Sequence, residues 1–315
     1  MIQLFCLFRA KCALPALATL IMASTAAMAD GSMPLNEQYA MLQISEVMQS
    51  NQPVTKIVIG TVNIRLGVHL ERMTLLSGEG HAGEKLASGL LAGAASLMGA
   101  GAGDYAMREP INDHFPEADA KKIADDIAKM LSDVIVKNGL EIVDPQDVVK
   151  VPAFATLKGQ DKNTTEVENI KGGLFKPSFY FVYHRIPVLG YKYRERGMFE
   201  GVTDDYSRAI RDATGVPISF SLTVSIVNDR KLMRVRELTL QCLGKTQGYM
   251  SNSDNILATI SVMPDEINVP TGESHKNLDY WAALSPKFEM AVKTMVGHLV
   301  EKLPSKQNKS ETETK

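Results

Sequence analysis

The sequence predicts an α/β (α+β) fold in which amphipathic helices pack on one mixed β-sheet. Residues 117–138 repeat apolar side chains at the 3.6-residue period of a helix. Residues 218–227 and 235–243 alternate apolar with polar side chains, which is typical of an antiparallel hairpin. Residues 54–64 are rich in β-branched side chains on both faces, as expected of a central strand.

The first 29 residues are typical of a secretory signal peptide that is cleaved between Ala29 and Asp30. Arg9 and Lys11 precede an uncharged apolar run, and small residues stand where a signal peptidase reads the chain. An uncleaved membrane anchor is the alternative, but the run is shorter than the ~20 residues that span a bilayer. We therefore expect an exported, periplasmic bacterial protein. Its predicted parts are the signal peptide (1–29), an amino-terminal segment (30–53), an α/β domain (54–304) with a Gly/Ala-rich insertion (78–104), and a disordered polar tail (305–315).

Composition argues against several functions. The 315 residues include 34 basic and 36 acidic side chains, so the net charge of −2 predicts no nucleic-acid partner. Cys242 is the one cysteine outside the signal peptide, which excludes an intramolecular disulfide and a CxxC metal site. We predict no cofactor and no metal, and we interpret Cys242 as a small buried side chain on a strand.

The region around the first strand contains weaker patterns. Apolar side chains are irregularly spaced over residues 36–49, where we predict a helix. The strand at 54–64 follows, and residues 65–76 are expected to continue it as a second strand.

Gly78-Glu79-Gly80-His81-Ala82-Gly83 matches the GxGxxG pattern of dinucleotide-binding loops. We interpret this match as accidental. Glu79 would place a carboxylate beside a pyrophosphate, and no second strand follows to supply the acidic residue that binds the ribose. A phosphate loop fails too, because Glu84 stands where a lysine is required.

The core of the Gly/Ala-rich insertion is Leu86–Gly103, which carries no charge over 18 residues. Gly89 and Gly93 are four residues apart, as are Gly99 and Gly103, so a helix here would offer a flat strip for close contact with another backbone. Two interpretations stay open. The segment either contacts a membrane or another chain, or forms a buried helix that ends in a flexible loop.

Local signals mark the ends of the helix at 117–138. Pro116 suits its first turn, and Asn138-Gly139 supplies a left-handed stop. A short buried strand is predicted at 140–143, and Asp144 is placed to cap the helical turn that follows.

The second half of the chain alternates loops and strands. Residues 158–171 are polar and are predicted to form a solvated loop, and 178–185 are predicted to form a strand. Aromatic residues and arginines interleave over 189–199. We interpret them as strand packing with solvated arginines rather than as a surface that stacks on bases or sugars.

The hairpin is predicted to turn its apolar side to the core and its Ser/Thr side to water. One more strand is predicted at 256–263. The last helix is expected to begin with Ser285 as N-cap and Pro286 at its first position, and to end before the polar tail.

No catalytic constellation is visible in the sequence. The six histidines are dispersed, and the motifs of zinc proteases and serine hydrolases are absent. An exported enzyme is therefore an alternative only if folding gathers several of His184, Asp204, Asp205 and His275 into one pocket.

This order of strand, long helix, short strand, hairpin and closing helix resembles a group of bacterial envelope proteins. They are the curli-export lipoprotein family and its relatives, which share the small α/β fold of the amino-terminal domain of the TolB translocation protein. There, a helix with spaced Ile, Ala and Leu leads into Gly-x-x-Val-Val-Asp. The matching text here is Ile123-Ala124, Ile127, Leu131 and Gly139-Leu140-Glu141-Ile142-Val143-Asp144. The resemblance implies a scaffold or assembly role in the envelope rather than an enzyme. The chain lacks the acylated cysteine of the pore-forming branch, which argues against secretion-channel activity.

We therefore predict a non-enzymatic periplasmic binding or assembly module. It would dock through a sheet edge or through the Gly/Ala-rich insertion onto envelope proteins or another copy of itself. The alternative is a membrane-inserting or pore-forming component that uses residues 86–103.

Overall fold

The computed structural model describes most of the predicted α/β domain and one strand before it. The described residues are 35–39, 53–71, 111, 114–156, 159–170, 179–194, 203–229, 231–244, 254–262, 266–272 and 276–304. The predicted signal peptide, the Gly/Ala-rich insertion and the polar tail lie outside them.

The described residues form ten strands and five helices. In chain order the strands are β1 Leu35–Tyr39, β2 Lys56–Glu71, β3 Glu141–Ile142, β4 Thr164–Ile170, β5 Phe179–Ile186, β6 Thr203–Asp204, β7 Ile218–Asn228, β8 Leu232–Gly244, β9 Asp254–Val262 and β10 Asn268–Pro270. The helices are α1 Glu117–Lys137, α2 Pro145–Val148, α3 Pro152–Thr156, α4 Asp205–Thr214 and α5 Asn277–Lys302.

One mixed sheet organises these elements. Its main path is β1-β9-β8-β7-β2-β5-β4, and β3, β6 and β10 pair with β2, β9 and β8. β2 runs parallel to β7 and antiparallel to β5. The prediction of a mixed sheet with packed helices, in the α+β class, is confirmed.

The central strand is longer than predicted. β2 extends the strand expected at 54–64 through Glu71 as one element of 16 residues, so residues 65–71 do not form a second strand. Tertiary pairing explains the length, because β7 lines one edge of β2 over 58–68 and β5 lines the other over 64–71.

Helices α1 and α5 pack on one side of the sheet, which we call the helix face. The apolar stripe predicted for α1 is buried there, except that Met130 is half-buried and packs against the edge of the main core. Its buried members are Ala120, Ile123, Ala124, Ile127, Ala128, Leu131, Val134 and Ile135. α5 buries Trp281, Leu284, Phe288, Ala291, Val292, Met295, Val296 and Leu299.

The predicted stop and cap signals after α1 are confirmed. Asn138 is the C-cap, and Gly139 has a φ of +82°, a conformation in which glycine is not strained. Asp144 accepts a hydrogen bond from the backbone N–H of Gln146 at 2.8 Å and so caps α2. Pro116 is the N-cap of α1 rather than a residue of its first turn.

Two predictions near the sheet edges were wrong. The helix expected at 36–49 begins instead with β1, which pairs with β9 from Leu35 opposite Val262 to Tyr39 opposite Ala258. The loop expected at 158–171 contains β4. In both segments the side chains are mostly polar, and pairing with a neighbouring strand outweighs the local pattern.

The start of the last helix was also predicted wrongly. α5 begins at Asn277, and Pro286 lies inside it, so Ser285 is not its N-cap. The Ser285 hydroxyl donates to the carbonyl of Ala282. Proline removes one backbone hydrogen bond from a helix, and the burial of Trp281 and Leu284 before it offsets that cost.

The polar side of β7 is not in water. Ser219, Ser221 and Ser225 are buried, and Ser207 of α4, a helix that was not predicted, shares a hydrogen bond with Ser219. Helix α4 therefore covers part of the sheet face opposite α1 and α5.

The arginines of residues 189–199 were predicted to be solvated, but Arg194 is buried. Its backbone N–H donates to Asn63 Oδ1 at 3.0 Å, and Asn63 Nδ2 donates to its carbonyl at 2.8 Å. The Arg194 guanidinium lies over the Tyr206 ring, 5.2 Å from its centroid. This segment fastens α4 to β2.

A buried hydrogen bond fixes the residues just before α1, which we call the entrance to α1. His184 on β5 is 3% exposed, and its Nε2–H donates to the Phe115 carbonyl at 2.9 Å. Burial lowers the pKa of His184 below its usual range, and the Phe115 carbonyl and Glu117 oppose this shift only in part.

We expect the chain to lose stability as the pH falls below the ordinary histidine pKa of 6.5. The unfolded chain then takes up a proton that the buried ring of His184 resists, whereas above that pH the ring is neutral in both states. Urea unfolding at several pH values measures the effect. His184→Gln keeps a donor for Phe115, so its stability should vary less with pH in this range; an unchanged slope would contradict the assignment.

Candidate functional site

Strand β4 ends the sheet, and its outer edge is the candidate site. It pairs with β5 along all seven residues, from Thr164 opposite Arg185 to Ile170 opposite Phe179, with no bulge. Among the described strands, none pairs with its other edge. Such an edge presents backbone N–H and C=O groups to a partner strand.

Two ion pairs hold β4 in place. Arg185 contacts Glu166 in a two-pronged arrangement, with Nε to Oε2 at 2.8 Å and Nη2 to Oε1 at 2.7 Å. The hydrogen bond from Arg185 holds the pKa of Glu166 below its usual range, so this carboxylate stays ionised. The second pair joins Glu168 to Arg236 of β8 at 3.3 Å.

Arg236 reaches Glu168 because of a β-bulge. Ser225 pairs with Glu237 and Ile226 with Val235, so Arg236 is the extra residue between them. A bulge re-aims the side chain that it carries. The guanidinium of Arg236 lies 3.6 Å from the centroid of the Phe181 ring and donates to the Tyr183 hydroxyl at 2.7 Å.

The contact between β8 and β4 shows that the sheet curls. β7, β2 and β5 lie between these strands, so a flat sheet would hold β8 and β4 about 19 Å apart. The Arg236–Glu168 contact requires the face opposite α1 and α5 to be concave, and we call it the concave face.

Gly67 on β2 makes this curl sterically feasible. A Cβ on Gly67 would lie 1.8 Å from the carbonyl oxygen of Val182 and 2.8 Å from Cα of Tyr183. The backbone of β5 thus crosses the space that a side chain would occupy. Glycine in a strand often marks such a close approach.

A third arginine completes the set of ion pairs on the concave face. Arg65 of β2 pairs with Glu237 at 2.7 Å and lies over the Tyr183 ring, 5.1 Å from its centroid. Phe181, Tyr183 and Val227 form a small apolar cluster beneath these arginines, separate from the main core. The ion pairs of Arg65, Arg185 and Arg236 thus join β2, β4, β5 and β8 across the concave face.

The residues of the enzyme alternative are not brought together by the sheet. His184 lies on β5 and Asp204 on β6, with β2, β7, β8 and β9 between the two strands. Asp205 is the first residue of α4, and His275 lies outside the described residues. Across the part of the chain that the structure describes, no group of three His, Cys, Asp or Glu residues is placed to hold a metal ion.

An open groove of about 220 Å³ lies between α1 and α5. Acidic and basic side chains alternate along it, among them Asp126, Lys129, Asp133 and Lys137. The groove contains none of the four residues of the enzyme alternative.

Several predicted site residues lie outside the described residues. They are Ala29 and Asp30 at the signal cleavage point, the glycine pattern from Gly78 to Gly83, and Gly89, Gly93, Gly99 and Gly103 of the insertion. None of the described helices is long and apolar enough to cross a membrane.

Sequence reasoning missed β4, although Thr164, Thr165, Val167 and Ile170 are β-branched and could have indicated a strand.

Comparison with known proteins gives no relative for this chain: no family model, no curated protein and no solved structure matches it.

Proposed function

We propose that this chain is an exported, non-enzymatic binding and assembly module of the bacterial envelope, and that it binds its partner by adding a strand to β4. The observation that carries the proposal is the regular edge of β4, seven residues long and without a bulge. Strand addition uses backbone hydrogen bonds for affinity and alternate side chains for specificity.

The sequence of β4 supports this function. Sheets that must not pair with other chains commonly carry charged side chains, especially lysine, or proline or a bulge on their edge strands. Thr164–Ile170 contains no lysine and no proline. Its two carboxylates point across the sheet to Arg185 and Arg236, so the ion pairs order the strand without covering its outer backbone.

The amino-terminal pattern supports export to the periplasm, since residues 1–29 carry the charged, apolar and small-residue regions of a signal peptide. We further propose that the fold is a variant of that of the TolB amino-terminal domain. The order of the elements along the chain supports this relation: β2, α1, β3, the β7–β8 hairpin and α5. Fold alone does not identify a function, and the proposal therefore depends on the β4 edge.

Site-specific photocrosslinking tests the proposal in cells that express the full chain. A benzophenone amino acid replaces Thr165 on β4 in one variant and Val136, which is 58% exposed on α1, in the other. We expect the Thr165 variant to form one defined adduct with a protein of the envelope and the Val136 variant to lack it. Identical adducts from both positions, or none from Thr165, would contradict the proposed function.

We expect Thr165→Lys to abolish co-purification of the partner identified by crosslinking. A lysine on an edge strand opposes pairing with a further strand, whereas a substitution at this half-buried position should change the free energy of unfolding by about 1 kcal/mol or less. Val136→Lys is the matched control, because it adds the same charge to an exposed helical position. Equal retention of the partner by both variants would exclude β4 as the binding edge.

A further inference from the structure

The side chains of β4 restrict what can pair with its outer edge. Register with β5 places Thr164, Glu166 and Glu168 on the concave face, opposite Arg185, Tyr183 and Phe181. Thr165 and Val167 alternate with them on the helix face, where Val167 packs, half-buried, against the main core.

A second copy of the chain fits this edge poorly. If two β4 strands pair antiparallel about Val167 and keep their faces aligned, Glu166 of each copy lies opposite Glu168 of the other. If the pair is centred on Glu166 or on Glu168, that glutamate lies opposite the same glutamate of the other copy. Registers shifted further pair only residues 164–166 or 168–170. Like charges directly opposite each other destabilise a strand pair, so long self-pairing is disfavoured.

Cationic side chains fit the same positions well. Glu168 meets Arg236 through one nitrogen at 3.3 Å, and its side chain is 38% exposed, so one carboxylate oxygen can accept from a partner. Glu166 uses both oxygens on Arg185 but is 25% exposed, and it would lie between two cations in an extended sheet. An apolar side chain opposite Val167 would lengthen the core on the helix face.

We infer that the occupant of β4 is an extended segment of a different protein, with a basic–apolar–basic alternation whose basic residues face Glu166 and Glu168 and whose apolar residue faces Val167. This inference rests on the proposed function and names the chemistry of its partner. Main-chain pairing supplies an affinity that any extended segment would share, and the alternation of side chains supplies the selectivity.

Binding of synthetic peptides to the mature full-length protein tests the inference by fluorescence anisotropy. The probes are Thr-Lys-Val-Lys-Thr and Thr-Glu-Val-Glu-Thr. We expect the first to bind at least about tenfold more tightly than the second, because opposite charges replace like charges at two cross-strand positions. The preference should shrink at high salt and in Glu168→Gln, which removes one of the two carboxylates.

Three results would overturn the inference. The first is equal affinity for the basic and acidic peptides. The second is basic-peptide binding that Thr165→Lys does not weaken more than Val136→Lys, because simple charge attraction elsewhere would then account for it. The third is a concentration-dependent dimer that Thr165→Lys abolishes, which would make a second copy the occupant.

Crosslinking distinguishes failure of the inferred partner chemistry from failure of the proposed function. A specific adduct at Thr165 together with no selectivity for the basic peptide contradicts the partner chemistry and leaves strand addition intact. Absence of the adduct and of peptide binding contradicts both.

Discussion

Replacing Gly67 by alanine is expected to lower the free energy of unfolding by more than about 3 kcal/mol. The added Cβ would lie 1.8 Å from the Val182 carbonyl oxygen, a distance that no relaxed structure allows. The obstacle is backbone of β5, which pairs with β2 on one side and β4 on the other, so it cannot move without breaking ladder hydrogen bonds. Urea denaturation followed by circular dichroism measures the loss.

Gly60 on the same strand is the matched control. A Cβ there meets its nearest atoms, the Phe220 carbonyl oxygen and Cβ of Ser219, at 3.7 Å, which is ordinary van der Waals contact. Gly60→Ala should therefore change the free energy of unfolding by about 1 kcal/mol or less. Similar losses in both variants would mean that close approach of β5 at Gly67 is not what the sheet requires.

The Gly67 substitution also bears on the proposed binding edge. If β5 moves away from β2, Arg236 can no longer span from β8 to Glu168, and β4 loses one of its two ion pairs. A variant that remains folded at low temperature should therefore bind the partner strand less tightly, because β4 is less well ordered before binding.

The sequence predicted those elements whose side chains repeat regularly. The stripe of α1, the alternation of β7 and β8, and the Asn138-Gly139 stop arise from local geometry, and the structure contains all of them. The serines of β7 show the limit of this reasoning, since alternation identified their common face but not that α4 covers part of it.

The candidate site was harder to predict, because it depends on contacts between distant residues. Arg236 and Glu168 are 68 positions apart, and they meet only because a bulge in β8 and the close approach at Gly67 curl the sheet. A single sequence reveals neither the bulge nor the register that places Glu166 beside Arg185. A local clue to the curl was the glycine within a β-branched strand, which is a known sign of close backbone approach.

Replacing Asn277 by alanine is expected to cost about 3 kcal/mol. Asn277 is fully buried at the start of α5, where its Nδ2 donates to the His114 carbonyl at 2.8 Å and its Oδ1 accepts from Asn228 at 3.0 Å. Thr271 donates in turn to Asn228 at 3.3 Å. Alanine removes a donor and an acceptor from buried polar groups, and each such loss costs about 1–3 kcal/mol.

The position of this network gives the prediction a second readout. Together with His184, which holds the Phe115 carbonyl, Asn277 ties the residues before α1 to β5 and α5. Limited proteolysis should therefore cut Asn277→Ala faster near residues 114–116 than elsewhere in the described domain. Asn163→Ala is the control, because Asn163 bonds Glu117 at the surface and its loss should cost about 0.5 kcal/mol or less. If Asn277→Ala is destabilised but cut uniformly, Asn277 stabilises the whole fold and does not specifically anchor the entrance to α1.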